Sequence, residues 1–247
     1  ILALDGLFDT GLSVILDALS LANNFSARQM GGTPHFDVSI VGVRRKVRSG
    51  QGMPIPVQPV TADLRPDWVI VPALATGTPE QLIPALGRPD VKKAKEQISK
   101  WHAAGAFVAA SCIGTFILAE TGLLHHQEAT TTWWLGPLFR QRYPDVRLDE
   151  SRMLVPSDLG VTAGAAMGHL DLVLWLIRKA SPELATLVSR YLLADIRSSQ
   201  AAYIIPNHLA QADPLMLRFE RWARDNLKNG FSLQQAAGAL ATSPRSL

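Results

Sequence analysis

The stretch around the single cysteine constrains the fold more than any other part of this chain. An apolar, strand-like run over residues 105–111 ends directly before Cys112, and a helical pattern starts at once with Gly114 and Thr115. A strand that turns sharply into a helix lifts one side chain above a parallel sheet, beside the free N–H groups of the helix N-terminus. The sequence therefore predicts a ligand or reaction site at Cys112.

Strand-like and helical segments alternate along the first two thirds of the chain, which is typical of a parallel sheet covered by helices on both faces. The predicted strands cover 1–4, 36–43, 67–72, 105–111, 129–134, 153–155 and 159–162, and the main predicted helices cover 12–24, 90–104, 115–124, 135–143 and 170–179. Beyond Pro182 the pattern favours helices alone. We therefore expect a main α/β domain over 1–181, a helical linker over 182–213 and a third segment over 214–247.

Composition excludes several classes of protein. With 247 residues, 47% of them apolar, the chain is long enough to bury a sizeable core. No apolar run reaches the roughly 18 residues that span a membrane, and no signal peptide is recognisable. A single cysteine excludes an internal disulfide framework, and no Cys/His spacing predicts a metal site or cofactor. We expect a cytoplasmic protein whose N-terminus has been trimmed, since Ile1 already lies in a strand-like run.

The net charge of +3 is placed entirely in residues 214–247, which suggests a segment that binds a polyanion. The earlier basic stretch 44–48 has no interleaved aromatic residues, and we interpret it as a solvated loop rather than a nucleic-acid patch.

The end of the chain has the pattern of two short helices joined by a tight turn. Ser232 and Gln235 form a predicted capping box that opens a helix ending near Ala241. Ser243 and Pro244 then begin a second helix by the same logic of a cap followed by proline. This spacing predicts a helix-turn-helix, in which Leu247 would lie one turn into the recognition helix.

Two motifs in this order resemble a known family. Residues 110–124, followed by Ala129-Thr130-Thr131, resemble the block "S-x-C-T-G-A-F-x-L-A-x-A-G-L-L" and then "A-T-T-H-W". Residues 231–247 resemble a first helix-turn-helix that commonly contains "S-P-R-x-L". Both motifs occur in the GlxA-type branch of AraC-family transcriptional regulators, and the resemblance covers nearly the whole chain.

The resemblance implies a class I glutamine-amidotransferase-like (ThiJ/PfpI-type) domain with a flavodoxin-like parallel sheet, followed by a truncated helix-turn-helix. It implies a homodimer without a cofactor or a membrane partner. It further implies a small effector, commonly nitrogen-containing, and operator DNA as the partner of the full-length protein. Because two helix-turn-helix units are needed and the first is cut short, we expect no specific operator affinity from this chain alone.

Departures from the family pattern argue against catalysis. Hydrolytic members of the superfamily activate the cysteine with a neighbouring histidine and an acidic residue. Thr132 stands at the histidine position here, and Asp17 falls at the acidic position. Ala73 and Leu74 replace two glycines whose backbone would approach an oxyanion. We predict a sensor without a catalytic residue; the alternatives are a cysteine-dependent hydrolase or hydratase, and a cysteine that is a redox sensor or a relic.

The predicted site residues follow from strand ends and from the resemblance. The effector would contact residues at the turn and at neighbouring strand ends: Cys112, Ile113, Gly114, Asp17, Ala73, Leu74, Thr132 and Trp133. Trp133 either stacks on the effector or belongs to the core. Ser243, Arg245 and Ser246 would contact DNA at the start of the recognition helix.

Overall fold

The computed structural model describes residues 1–29, 35–195, 197–205 and 214–244. The chain divides into two compact units, Ile1–Ala202 and Tyr203–Leu247. No helix of the described residues is both long and apolar enough to cross a bilayer.

A central parallel sheet organises the first unit. Its strands are β1 (Leu2–Ala3), β2 (Val41–Gly42), β5 (Gln58–Pro59), β6 (Trp68–Val71), β7 (Phe107–Ser111), β10 (Leu154–Ser157) and β11 (Gly160–Ala163). One ladder has the order β1-β2-β5 and the other β10-β11-β7-β6, and β1 packs beside β6. All these pairs are parallel except β10 with β11, which form an antiparallel hairpin at one edge.

Two short ladders lie outside the sheet. One is the antiparallel pair β3 (Val47–Arg48) with β4 (Pro54–Ile55), and the other is the parallel pair β8 (Glu128–Ala129) with β9 (Arg147–Leu148).

Helices cover both faces of the sheet, as the alternating sequence predicts. The first unit contains α1 (Asp9–Gln29), α2 (Pro79–Leu86), α3 (Pro89–Ala103), α4 (Gly114–Ala119), α5 (Gly136–Arg142), α6 (Gly168–Ala180) and α7 (Pro182–Tyr191). Apolar side chains of α2 to α5 form one core cluster with the sheet, and those of α1, α6 and α7 form another. The parallel α/β class predicted from the sequence is confirmed.

Strand β7 shows how the sheet separates the two clusters. Successive side chains of a strand point to opposite faces. Val108 and Ala110 therefore join the cluster with α4, whereas Ala109 joins the cluster with α6. Cys112 continues the first set and belongs to the α4 side.

Several elements differ from the sequence-based predictions. The predicted strand over 129–134 is limited to β8, and Trp133–Leu135 forms a 3-10 helix. After β8 the Thr130 N–H donates to the side-chain hydroxyl of Thr162 (2.9 Å) instead of a backbone carbonyl, so the ladder ends. Helix α2 was not predicted, because the prolines at 79 and 84 are residues that usually interrupt a helical pattern.

Helix α7 falls within the predicted linker 182–213, yet it belongs to the first unit. Leu184, Ala185 and Val188 are buried against the apolar side chains of α1 and α6. Burial of this face explains why the unit extends to Ala202 rather than ending near 181. The assignment of the segments to functional domains stays a prediction.

The second unit contains α8 (Pro214–Asn226) and α9 (Leu233–Ala239). The predicted capping box is present: the Ser232 hydroxyl accepts from the Gln235 N–H, and the Gln235 side chain accepts from the Ser232 N–H. Ala236 and Ala237 are buried on α9, and the Arg218 side chain donates to the Leu240 carbonyl (2.9 Å). Ala241 follows with φ +53°, a left-handed conformation.

We expect Ala241→Gly to stabilise the second unit by about 1 kcal/mol, because glycine adopts a left-handed φ without the Cβ strain. Hydrogen exchange of the α9 amides reports the opening of this unit. The matched control is Ala239→Gly in the last turn of α9, which is expected to cost up to about 1 kcal/mol. Destabilisation of similar size in both variants would contradict the strain at Ala241.

Candidate functional site

The turn at Cys112 has the geometry that the sequence predicts. Strand β7 ends at Ser111, Cys112 adopts φ +54°, and α4 begins at Gly114. The Cys112 N–H donates to the Ala163 carbonyl (3.0 Å), and its carbonyl accepts from the Thr115 N–H (3.1 Å) and the Thr131 hydroxyl (2.7 Å). These bonds hold a backbone conformation that costs a non-glycine residue roughly 1–2 kcal/mol.

Gly114 lets the turn pack directly on the end of β6. A Cβ at this position would lie 2.2 Å from the Val71 carbonyl oxygen and 3.0 Å from that of Pro72. Both are backbone atoms that cannot rotate away. The first residue of α4 is therefore restricted to glycine by the neighbouring strand.

The thiol at this turn is buried and neutral. Cys112 is 4% exposed, and burial raises its pKa to about 12. The Ile113 N–H and the Thr132 hydroxyl act in the opposite direction, but their effect is smaller. The thiol is therefore neutral at neutral pH, whereas nucleophilic cysteines need a depressed pKa.

Thr132, and not a histidine, lies beside the thiol. Its hydroxyl is fully buried and close enough to the sulfur to favour a thiolate, although it makes no hydrogen bond of normal geometry. The hydroxyls of Thr115 and Ser111 are also buried and unpartnered, but Ser111 lies on the other face of β7, against Gly168 of α6. Buried polar atoms without partners are uncommon in native proteins and often mark ligand or water positions.

A buried histidine that the sequence analysis did not single out lies under the strand ends. The Ala73 N–H donates to Nε2 of His169 (3.1 Å), so Nε2 carries no proton. Nδ1 is then the protonated nitrogen and donates to the Ala166 carbonyl (2.6 Å). Burial lowers the pKa of His169 to about 4, and the imidazole fills the space where a Cβ on Gly11 would lie (2.7 Å).

This histidine occupies the backbone donor of Ala73. Ala73 lies two residues after the end of β6, and its N–H is paired with His169. An amide that is already paired cannot stabilise an oxyanion. His169 also cannot serve as the missing base in this arrangement, because its free lone pair is occupied.

The structure brings most of the predicted effector residues into one buried layer. Ala73, Leu74, Cys112 and Ile113 share a core cluster, Gly114 contacts the end of β6, and Thr132 faces the thiol. Trp133 follows Thr132 and is 8% exposed, its ring meeting Trp134 edge to face at 5.4 Å.

Asp17 is not brought to this layer. It lies on the exposed face of α1, more than two turns after the helix begins, whereas the buried face carries Ile15, Ala18 and Leu19. The acidic side chain at the start of α1 is Asp9, whose Oδ2 accepts from the Gln51 N–H (3.1 Å) and whose Oδ1 is buried and unpartnered.

The residues around Cys112 are buried. Three cavities elsewhere in the first unit, of about 440, 480 and 360 Å³, are lined by other residues. Within the part of the chain that is described, no cluster of three His, Cys, Asp or Glu side chains could hold a metal ion.

The predicted DNA contacts are only partly described. Ser243 follows the turn at Ala241 and is not helical, and Arg245 and Ser246 lie outside the described residues. Arg218, on α8, caps the carboxyl end of α9 and is thus occupied within its own unit. The helix-turn-helix stays a prediction.

Solved structures share this fold, although no protein-family model and no curated protein match the chain. An AraC family transcriptional regulator from Pseudomonas putida has a TM-score of 0.60 at 18% identity, covering 77% of this chain and 96% of that one. Drosophila melanogaster DJ-1beta has a TM-score of 0.59 at 17% identity, with 78% and 96% covered. A ThiJ/PfpI family protein from Pseudomonas syringae has 0.58 at 18%, with 78% and 73% covered. Identities this low establish the fold of the chain.

We expect protonation of His169 to destabilise the first unit in mild acid. Because burial depresses the folded-state pKa to about 4 from an unfolded value near 6.5, stability is fully present above pH 6.5 and is lost as the pH falls. The loss from this group between pH 7 and pH 5 is about 2 kcal/mol.

Urea unfolding at several pH values gives the free energy of unfolding of the wild-type chain and of His169→Gln, which cannot protonate. The difference between their pH slopes is the contribution of His169. His125→Gln, a change at an exposed imidazole, is the matched control and should keep the wild-type slope. An unchanged slope in His169→Gln would show that the buried ring does not titrate as described.

Proposed function

We propose that this chain is the sensor part of a DNA-binding transcriptional regulator, and that a small metabolite binds without chemistry at the Cys112 turn. The observation that carries the proposal is the buried thiol, whose pKa is raised to about 12 and which faces Thr132 where a base would stand. A nucleophilic cysteine needs an adjacent base or a depressed pKa, and this turn supplies neither.

The unpartnered hydroxyls support binding at this place. Retaining the buried hydroxyls of Thr132 and Thr115 without a well-formed hydrogen bond costs stability, roughly 1–3 kcal/mol each. A ligand that donates to or accepts from them would recover part of that cost. The surroundings are neutral, since the thiol and His169 are both uncharged at neutral pH, which favours a small polar effector over a strongly anionic one.

The second unit supports the regulatory half of the proposal. Its capping box, the short helix α9 and the left-handed Ala241 that follows support the first helix and the turn of a helix-turn-helix, whose second helix would begin at Ser243. The exposed cations Arg221 and Lys228 are available for DNA phosphates. Operator binding by a homodimer, and an effector with a nitrogen-containing group, belong to the proposal through the sequence resemblance.

A cysteine-dependent hydrolase or hydratase is the second candidate, favoured by one observation. The strained φ of +54° at Cys112 is the turn geometry that presents a nucleophile in strand-to-helix elbows. The paired Ala73 N–H and the neutral thiol oppose this activity.

We expect Cys112→Ser to separate the two candidates. For a sensor, serine keeps a small polar group at the turn, so thermal stabilisation by an effector identified from a panel of amino acids and quaternary amines persists within a few degrees. Amidase or hydratase turnover that this substitution abolishes would overturn the sensor proposal in favour of the enzyme.

We expect Thr132→Val to raise the free energy of unfolding by about 1 kcal/mol, because it removes a buried hydroxyl that has no partner. The same change should weaken effector binding measured by calorimetry at least several-fold. The matched control is Thr131→Val, which deletes the bond to the Cys112 carbonyl and should destabilise the chain instead. Unchanged effector affinity in Thr132→Val would move the binding site away from the turn.

A further inference from the structure

The last part of the first unit, residues 197–202, is fastened to the sheet edge next to the Cys112 turn. We refer to these residues as the exit segment, because the second unit begins at Tyr203. The Gln200 N–H donates to the Ser151 carbonyl (2.8 Å), as does the hydroxyl of Ser199 (2.7 Å). The exit segment therefore has fixed backbone partners.

Arg197 holds the start of the exit segment on α6. Its guanidinium donates to the Met167 carbonyl (2.9 Å) and forms an ion pair with Asp171, whose side chain is 5% exposed. An ion pair with one buried carboxylate is costly to break from one side only. The exit segment is thus anchored before Gln200 is reached.

Gln200 inserts its side chain between the strand ends. The residue is 1% exposed, its Oε1 accepts from the Ala165 N–H (2.9 Å), and its Nε2 donates to the carbonyl of Thr131 (2.9 Å) and the hydroxyl of Thr130 (3.2 Å). A Cβ at Gly164 would lie 2.6 Å from this amide. The cavity is shaped for one side chain, and its donors and acceptor are all used.

The peptide that joins Thr131 to Thr132 connects this amide with the turn. Its carbonyl oxygen accepts from Gln200, while the hydroxyl of Thr131 donates to the Cys112 carbonyl (2.7 Å). The next side chain along, Thr132, faces the thiol with a buried and unpartnered hydroxyl. Thr131 is therefore held by the exit segment through its carbonyl and by the cysteine turn through its side chain.

We propose that Gln200 reports occupancy of the Cys112 turn to the chain that enters the second unit, through the Thr131–Thr132 peptide. This inference rests on the proposed sensor function and names the positioning residue that would couple the site to its output. A ligand that bonds to the Thr132 hydroxyl has to reorient that residue and its preceding peptide. The carbonyl then leaves the Gln200 amide, and the exit segment loses its buried anchor.

Coupling of this kind is reciprocal, so it can be measured without knowing the effector. Weakening the hydrogen bonds of the Gln200 side chain should make the cysteine turn more accessible. Weakening the hydrogen bonds of the turn should likewise make Gln200 more accessible. The chain contains a single cysteine, which makes its reaction with the disulfide reagent DTNB a direct measure of opening at the turn.

The experiment compares the DTNB reaction of Cys112 in the wild-type chain and in Gln200→Leu, at several urea concentrations below the unfolding transition. We expect the variant to react about tenfold faster, by a urea-independent route, because a local opening exposes little surface. Gln200→Glu should act in the same direction, since its carboxylate would face the Thr131 carbonyl. The control is Thr186→Val, which removes a hydroxyl bonded to the Pro182 carbonyl on the exposed face of α7 and should react at the wild-type rate.

The reciprocal measurement uses Thr131→Val, which deletes the bond to the Cys112 carbonyl. Hydrogen exchange of the Gln200 and Ala165 amides should accelerate about tenfold in this variant and be unaffected in Thr186→Val. A DTNB rate within twofold of the wild type in both Gln200 variants overturns the proposal. An increase that appears only through urea-dependent global unfolding also overturns it, because Gln200 would then be merely structural.

A failure of the coupling between Cys112 and Gln200 can be distinguished from a failure of the proposed sensor function. If Cys112 and Gln200 are coupled but the metabolite panel never stabilises the chain, the turn and the exit segment communicate while the proposed sensing fails. If a metabolite from the panel stabilises the chain and leaves exchange at Gln200 unchanged, sensing stands and the role of Gln200 is wrong.

Discussion

The left-handed backbone at Cys112 is the constraint on which the rest of the first unit depends. A non-glycine residue holds this conformation only when its surroundings supply more free energy than the strain costs. Here three hydrogen bonds do so, one donated to the Ala163 carbonyl and two accepted from Thr115 and Thr131, and Gly114 removes the Cβ that would collide with β6. The turn thereby ties β7, β11, α4 and the segment after β8 into one arrangement.

The same arrangement explains why the thiol is neutral. The neighbouring backbone groups are already paired: Ala73 donates to His169, and the carbonyl of Cys112 accepts twice. Burial raises the thiol pKa, since a thiolate would lose its hydration without gaining a cation. Buried hydroxyls such as that of Thr132 are left without a well-formed hydrogen bond.

Several local features were predictable because they depend on neighbours in the sequence. The strand before Cys112 and the capping box at Ser232 each follow from a short pattern, and both are present. The strand predicted after Ala129 was too long, because the β-branched threonines there bond to side chains such as Thr162 that no local pattern reveals. Asp17 was placed at the turn by resemblance, but the helical period directs it to solvent.

By itself, the sequence determined the alternation of strands and helices, the elbow at Cys112 and the absence of a histidine at Thr132, because these are properties of residue type and spacing. Only the tertiary structure decided which polar groups are already hydrogen-bonded. His169 and Gln200 lie 96 residues from Ala73 and 69 residues from Thr131 along the chain, yet each donates to or accepts from that distant backbone. Such pairings depend on how helices and loops meet over the sheet, so no local pattern contains them. Because of these long-range pairings, the motif around Cys112 forms a buried turn in which some hydroxyls remain unpaired.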